Sequence, residues 1–354
     1  MSPLEEHLHR RIAFDGPLTV AAYMQTCLLH PEHGYYTTRQ PIGAEGDFTT
    51  APEISQMFGE LVGLALAQSW LDQGAPEAFT LAELGPGRGV LMADALRATR
   101  GVPGFHAALR LHLVEVSPPL RAVQSAALAG FDPVFHESAE SLPEEAPLLV
   151  IANEFFDALP VRQFLRSGAG WCERLVGVSD GRLSWGLSPP GPQPELDHRL
   201  AGSAEGDMVS WCPAGARIAA EIGRRITARG GAALIIDYGD WRATGDSLQA
   251  IHAREKAPPL AHPGAADLTA HVSFEDLARA APCAHSGPVP QGVFLEALGI
   301  TARARSLAGN AGPAAADAVA AAHRRLTHPG EMGSLFKVLA LHSPDAPPPP
   351  GLAS

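Results

Sequence analysis

FTLAELGPGRGVLMADALRATR, residues 79–100, decides the fold. FTLAEL (79–84) reads as a short strand buried on both faces, because its apolar run is nearly continuous. GPGRG follows, and VLMADALRATR then reads as a helix. A strand that turns through glycines into a helix brings backbone N–H groups close to a ligand at a helix N-terminus. Three ligands compete for such a turn. A phosphate-binding Walker loop needs G-x-x-x-x-G-K-[ST], and neither the Lys nor the Ser/Thr is present. The dinucleotide fingerprint G-x-G-x-x-G needs a third glycine where Val90 stands. S-adenosylmethionine binders carry E/D-x-G-x-G at the end of the first strand, and Glu83, Gly85, Gly87 and Gly89 fit that pattern. A carboxylate such as Glu83 suits a ligand with an ammonium and a sulfonium better than a diphosphate.

Working outward, RLHLVEV (110–116) is a second strand that ends near Glu115, an acid placed to accept hydrogen bonds from two ribose hydroxyls. A helix runs from Pro118 to about residue 129, and PVFH (133–136), PLLVIANE (147–154), GAALIIDYG (231–239) and SLFKVLAL (334–341) are further strands. Strands alternating with helices imply an α/β fold with a parallel sheet and right-handed crossovers. Between them the period changes. Residues 162–185 read as antiparallel strands with a turn near Asp180-Gly181, and 188–207 as a surface linker. Helices are expected at 214–229, 291–300 and 314–326. Before the first strand, Leu18–Leu29 has helical spacing, residues 30–55 form a Gly/Pro/Thr-dense loop, and Ser55 or Thr50 caps a helix over Met57–Leu71.

The 354 residues allow roughly two domain units, or one with a large insertion. A hydrophobic content of 46% supports a sizeable core, and 36 glycines with 32 prolines make the chain loop-rich. The formal net charge of −12 argues against a nucleic-acid-binding surface. Lys256 and Lys337 are the only lysines, which reflects composition rather than mechanism. Cys27, Cys172, Cys212 and Cys283 form no CxxC pair and read as isolated thiols. The 15 histidines show no ligand spacing, so no metal is expected, His30 and His33 included. Gly177–Gly181 matches G-x-S-x-G, but strand patterns flank it and it reads as a hairpin turn. The N-terminal residues carry acids and no apolar h-region, and no run reaches about 18 apolar residues; a cytoplasmic protein without a membrane span is the expectation.

GPLTVAAYM (16–24), HPEHGYY (30–36), GDFTTAPEISQMFGE (46–60), LAELGPGRG (81–89), LVEVSPPLR (113–121), IANEFFDALPVRQF (151–164), IIDYG (235–239), HPGAADLTAHVSF (262–274), QGVFLEALGI (291–300) and MGSLFKVLAL (332–341) together cover nearly the whole chain. In these segments the sequence resembles the MidA-like family of S-adenosylmethionine-dependent methyltransferases, which includes the mitochondrial complex I assembly-factor protein-arginine methyltransferase. The resemblance implies a class I methyltransferase (Rossmann-like) sheet with a helical N-terminal extension and an inserted, substrate-facing β/loop region. It implies S-adenosylmethionine as cofactor, a protein partner, and symmetric dimethylation of an arginine in the 49-kDa-type subunit of respiratory complex I. Two stretches depart from the family pattern: Ser273 stands where an Asp is expected in H-V-D-F, and DSLQAI (246–251) replaces a Thr-Leu-Arg-Gly-like run. The expected domains are an extension over 1–75, a core over 76–165 and 208–342, an insertion over 166–207, and a disordered tail over 343–354.

Arginine is a poor nucleophile because its guanidinium stays protonated, so carboxylates must orient it and receive a proton. Glu154 is the first candidate and Asp157 the second, with Asn153 beside them and Asp47 on a loop that folds over the cofactor as a lid. On residue pattern alone N-E-x-x-D fits helix capping equally well. Asp237 reads as structural or substrate-facing with equal weight, while Tyr35, Tyr36 and Phe48 read first as packing residues. The expected cofactor set is Glu83, Gly85, Gly87, Gly89, Glu115, Asp47, Phe48 and Ser138. The alternatives are a small-molecule methyltransferase, an NAD-type oxidoreductase on the same sheet, and a non-catalytic assembly chaperone that retains the pocket.

Overall fold

Phe79–Leu84 (β1) is a strand with all six residues buried. It lies at the centre of a sheet with Leu109–Val114 (β2), Val134–His136 (β3), Leu148–Asn153 (β4), Gly231–Asp240 (β5), Ala284–Pro290 (β6) and Phe336–His342 (β7). The strand order is β6-β7-β5-β4-β1-β2-β3. β1 runs parallel to β2 and β4, β4 to β5, and β2 to β3, whereas β7 is antiparallel to both β5 and β6. The chain order reverses between β1 and β4, and in open α/β sheets ligands lie beyond the carboxyl ends of strands at such a switch point.

This sheet comes from a computed structural model that describes residues 1–38 and 50–352. The described chain forms two units. The larger contains residues 50–156, 216–240 and 274–352, and the smaller contains 1–38, 157–215 and 241–273.

In the larger unit, Gln56–Asp72 (α1) packs on Val90–Ala98 (α2), and Pro118–Ala127 (α3) follows β2. Ser55 caps α1 by accepting from the Met57 N–H at 3.3 Å; Thr50 instead precedes the short turn Ala51–Ile54 and makes no side-chain cap. A Cβ on Gly63 would sit 2.6 Å from Cα of Ala95, so the two helices approach closely because that residue has no side chain. The helices expected near 291 and 314 are Gln291–Ala297, with Ile300–Gly309 after it, and Pro313–Thr327.

The smaller unit contains the helices Pro3–Asp15 and Val20–Leu29 and two antiparallel sheets. One sheet joins Leu18–Thr19, Gly170–Ser179, Arg162–Ser167 and Met208–Trp211, with Arg182–Leu187 closing a hairpin on Gly170–Ser179. Asp180 and Gly181 take φ of 50° and 72°, as a tight hairpin turn requires, so the G-x-S-x-G match is no nucleophile elbow. Glu255–Ala257, Leu248–His252 and Asp267–Ala270 form the other sheet.

The units group the chain differently from the expected domains. Residues 56–72 supply α1 to the larger unit instead of belonging to an extension. Met208–Trp211 pairs with Arg162–Ser167, and the sheet over 248–270 shares an apolar cluster with Leu4, Leu8, Tyr23 and Met24, which draws both into the smaller unit. The C-terminal segment, expected to fray, packs as far as Leu352, which is 4% exposed within the larger unit's core. Among the described residues no helix is long and apolar enough to cross a membrane, and no group of three or more His, Cys, Asp or Glu is placed to hold a metal.

Candidate functional site

The turn after β1 is built on three left-handed residues: Gly85, Gly87 and Gly89 have φ of 61°, 54° and 79°. A side chain is strained in that region. A Cβ on Gly85 would also lie 2.9 Å from Cδ2 of Phe155. Gly89 is the N-cap of α2.

Glu83 and Asn153 stand at the ends of the neighbouring strands β1 and β4. Glu83 is 3% exposed, and burial pushes its carboxyl up to about 8. Its Oε2 and the Asn153 Oδ1 are both buried without a hydrogen-bond partner among the described residues. Both residues line one cavity of about 50 Å³, together with Thr50, Glu53, Gly85, Gly87, Arg88 and Glu154. Buried acceptors require donors, and an ammonium brings three with a positive charge. The donor deficit therefore fits the amino-acid end of S-adenosylmethionine. A cavity of this size takes one end of such a ligand, since whole small-molecule sites occupy about 300–1,000 Å³.

Glu154 follows β4 with a left-handed φ of 52°, uncommon for a residue with a side chain. Its N–H donates to the Ile236 carbonyl at 2.9 Å. Its Oε1 accepts from the Ala51 N–H at 3.1 Å and from Asn153 Nδ2 at 3.3 Å. Burial pushes the carboxyl up to about 7, and those two hydrogen bonds hold it from rising further. Asp237, fully buried, accepts from the Phe156 N–H at 3.0 Å and the Tyr238 N–H at 2.9 Å. Its carboxylate thus fastens the backbone after Glu154, which favours the structural reading of that residue.

Glu115 lies just past β2 and does not line the cavity. Oε1 accepts from the Ser117 N–H at 2.8 Å and Oε2 from Gln124 Nε2 at 3.1 Å. Burial raises its carboxyl and these bonds oppose the rise. Gln124 Nε2 also donates to the Gly87 carbonyl at 2.7 Å, so one amide links Glu115 to the glycine turn.

The structure thus brings Glu83, Gly85, Gly87, Asn153 and Glu154 around one cavity. Gly89 and Ser138 do not line it; the Ser138 carbonyl accepts from Ser141 Oγ at 2.9 Å. Asp157 belongs to the smaller unit, where its carbonyl accepts from the Ala270 N–H at 2.9 Å. Tyr35 is buried in that unit and Tyr36 donates to Asp267 at 2.9 Å, consistent with packing. Asp47 and Phe48 lie outside the described residues. Sequence reasoning missed Glu53, Arg88 and Gln124. For Gln124 a signal existed: it interrupts the i, i+4, i+8 stripe of Leu120 and Leu128 on α3 and its continuation.

This strand order, with an antiparallel β7 and a glycine turn after β1, defines a class I methyltransferase. The chain belongs to the family described as "Putative S-adenosyl-L-methionine-dependent methyltransferase", which matches residues 61–289. It is similar to "Protein arginine methyltransferase NDUFAF7, mitochondrial" of Mus musculus, 37% identical over 96% of this chain and 84% of that protein. The Homo sapiens protein of that name is 34% identical over 96% of this chain and 83% of its own length. A crystal structure from Burkholderia thailandensis bound to S-adenosyl-homocysteine superposes with a TM-score of 0.84 at 30% identity, covering 99% of this chain and 94% of that one. The protein is an S-adenosylmethionine-dependent methyltransferase. The cytoplasmic expectation is corrected by the relatives, which are named mitochondrial; it rested on the composition of the first residues, which does not decide a compartment.

Proposed function

We propose that this methyltransferase acts on protein arginine, symmetrically dimethylating an arginine of the 49-kDa-type subunit of respiratory complex I in support of its assembly. The relatives' names support the arginine chemistry, and the sequence resemblance supports the subunit. The observation that carries the reading is Glu154: a carboxylate on a left-handed residue, beside the cavity that Glu83 and Asn153 line, with its carboxyl pushed up to about 7.

Bound S-adenosylmethionine supplies a methyl group on a sulfonium, which departs as a neutral thioether. Glu83 and Asn153 would hold its ammonium, and the Gly85–Gly87 turn would leave room for its methionyl backbone. Glu115 would take the ribose hydroxyls through the lone pairs its present bonds leave, and Ser138 stands as a further candidate on the sequence resemblance alone. Glu154 grips the guanidinium, orients one nitrogen toward the methyl, and accepts the proton that nitrogen loses as the N–C bond forms. A carboxylate whose affinity for protons is raised is a better acceptor for that step. Asp157 stands as the second carboxylate on the strength of the N-E-x-x-D sequence, and the inserted region supplies substrate recognition.

Calorimetry with S-adenosylmethionine and with NAD tests the cofactor assignment. Transfer of labelled methyl groups to the subunit, followed by acid hydrolysis, tests the product. Label in symmetric dimethylarginine supports the reading, and label in small molecules alone sinks it.

A further inference from the structure

Gln124 is the one fully buried side chain on α3, with no exposed surface. Its amide nitrogen has two hydrogens and two oxygen neighbours: the Gly87 carbonyl at 2.7 Å and Glu115 Oε2 at 3.1 Å. Turning the amide over would set its oxygen against both, so the orientation is fixed by chemistry. Gly87 is the left-handed residue at the middle of the glycine turn. The other oxygen of Glu115 is held by the Ser117 N–H at 2.8 Å, so Gln124 completes the fixing of that carboxylate. α3 is also packed on the turn, since a Cβ on Gly89 would touch Cα of Gln124 at 3.6 Å.

We infer that Gln124 is a positioning residue for the cofactor, locking the carbonyl of Gly87 and the carboxylate of Glu115 into one rigid unit. The inference rests on the cofactor reading above. One amide thereby sets the distance between the turn on the methionyl side and the acceptor on the ribose side. Both bonds lie in buried surroundings, where hydrogen bonds to charged groups are strong and a misplaced acceptor is costly. Gln124 also opposes the rise that burial causes in the Glu115 carboxyl.

Gln124→Met keeps the length and removes both donors. The test is calorimetric titration of S-adenosyl-homocysteine into the full chain, carrying Gln124→Met, Glu115→Gln or both, across a pH series. Circular dichroism establishes that each variant is folded. The expected result is about a tenfold loss of affinity for Gln124→Met. In the Glu115→Gln background the further loss is smaller, because the two residues act together. The acid limb of the affinity profile moves to higher pH in Gln124→Met, since Glu115 then protonates more readily. A residue with only a packing role leaves that limb in place. Unchanged affinity, strictly additive losses, or an unmoved limb overturns the inference. A wild-type chain that binds no S-adenosyl-homocysteine fails the cofactor reading itself, and is distinguished because it fails before any substitution is compared. Should Gln124→Met not fold, Gln124→Asn serves: its shorter amide cannot span both oxygens, and an affinity equal to wild type overturns the inference.

Discussion

The Ala51 N–H donates to Oε1 of Glu154 at 3.1 Å, tying the turn Ala51–Ile54 to the residue that follows β4. Glu154 thus supports the local backbone as well as carrying the charge proposed to hold arginine, and the two duties separate by substitution. Glu154→Gln keeps an oxygen for the Ala51 N–H and loses the charge. Methyl transfer should fall at least about 100-fold, while S-adenosylmethionine affinity measured by calorimetry stays close to wild type. Glu154→Ala should lose transfer equally and about 1 kcal/mol of stability besides. Parallel loss of cofactor binding and transfer in Glu154→Gln would assign the residue to structure.

The raised Glu154 carboxyl fixes the sign of the pH dependence. It must be ionised to meet a guanidinium and take its proton. kcat/KM for the protein substrate should therefore rise with pH and level off above about 7, the value that burial gives Glu154 in the free enzyme. A profile that falls across neutrality contradicts the assignment.

Glu83 gives a thermodynamic counterpart. Burial lifts its carboxyl from 4.5 to about 8, so within that window the folded chain holds a proton that the unfolded chain has released. Stability from this group is present below the window and lost as pH rises through it. Urea denaturation of the ligand-free protein should show this decline, and Glu83→Gln should flatten it. An ammonium beside Glu83 restores the carboxylate, so cofactor binding near neutral pH should release a proton, visible as a calorimetric enthalpy that varies with the buffer's ionisation heat. Stability that climbs with pH in the wild type and an enthalpy independent of buffer would both count against this picture.

The centre of the fold was legible because β1 and β4 are buried on both faces and read as unbroken apolar runs. β6 was not: AHSGPVP has two prolines and no alternation, and it holds its place at the sheet edge through pairing with β7 interrupted by a bulge between Ser286 and Val289. The sheet over 248–270 has strands of only three to five residues, too short for a period to show. Around the cavity, Glu83, Gly85, Gly87, Asn153 and Glu154 were legible as neighbours because their side chains, or lack of one, carry the motif. Ala51 contributes through a backbone N–H, to which sequence is blind. The role of Gln124 depends on three-dimensional neighbours 37 and 9 residues away.

The glycine turn should tolerate no branching. Gly87→Val forces a β-branched residue into a φ of 54° and crowds the approach of the ligand. Calorimetry should detect no cofactor binding, whereas wild-type affinity in this variant would remove Gly87 from the site.

Packing beneath the site has its own test. In Gly63→Leu the new Cβ would meet Cα and Cβ of Ala95 at 2.6 Å, forcing α1 and α2 apart. The expected cost is about 3 kcal/mol in urea denaturation. A loss no larger than that of an exposed substitution would show that the helices do not pack as described.

Peptide mass spectrometry of the complex I 49-kDa-type subunit, after incubation with S-adenosylmethionine and either the wild-type protein or Glu154→Gln, tests the central claim most directly. The expected result is an arginine carrying two methyl groups, one on each terminal nitrogen, with the wild type and an unmodified arginine with the variant. Unmodified arginines throughout, from a wild-type protein shown to bind S-adenosylmethionine, would contradict it.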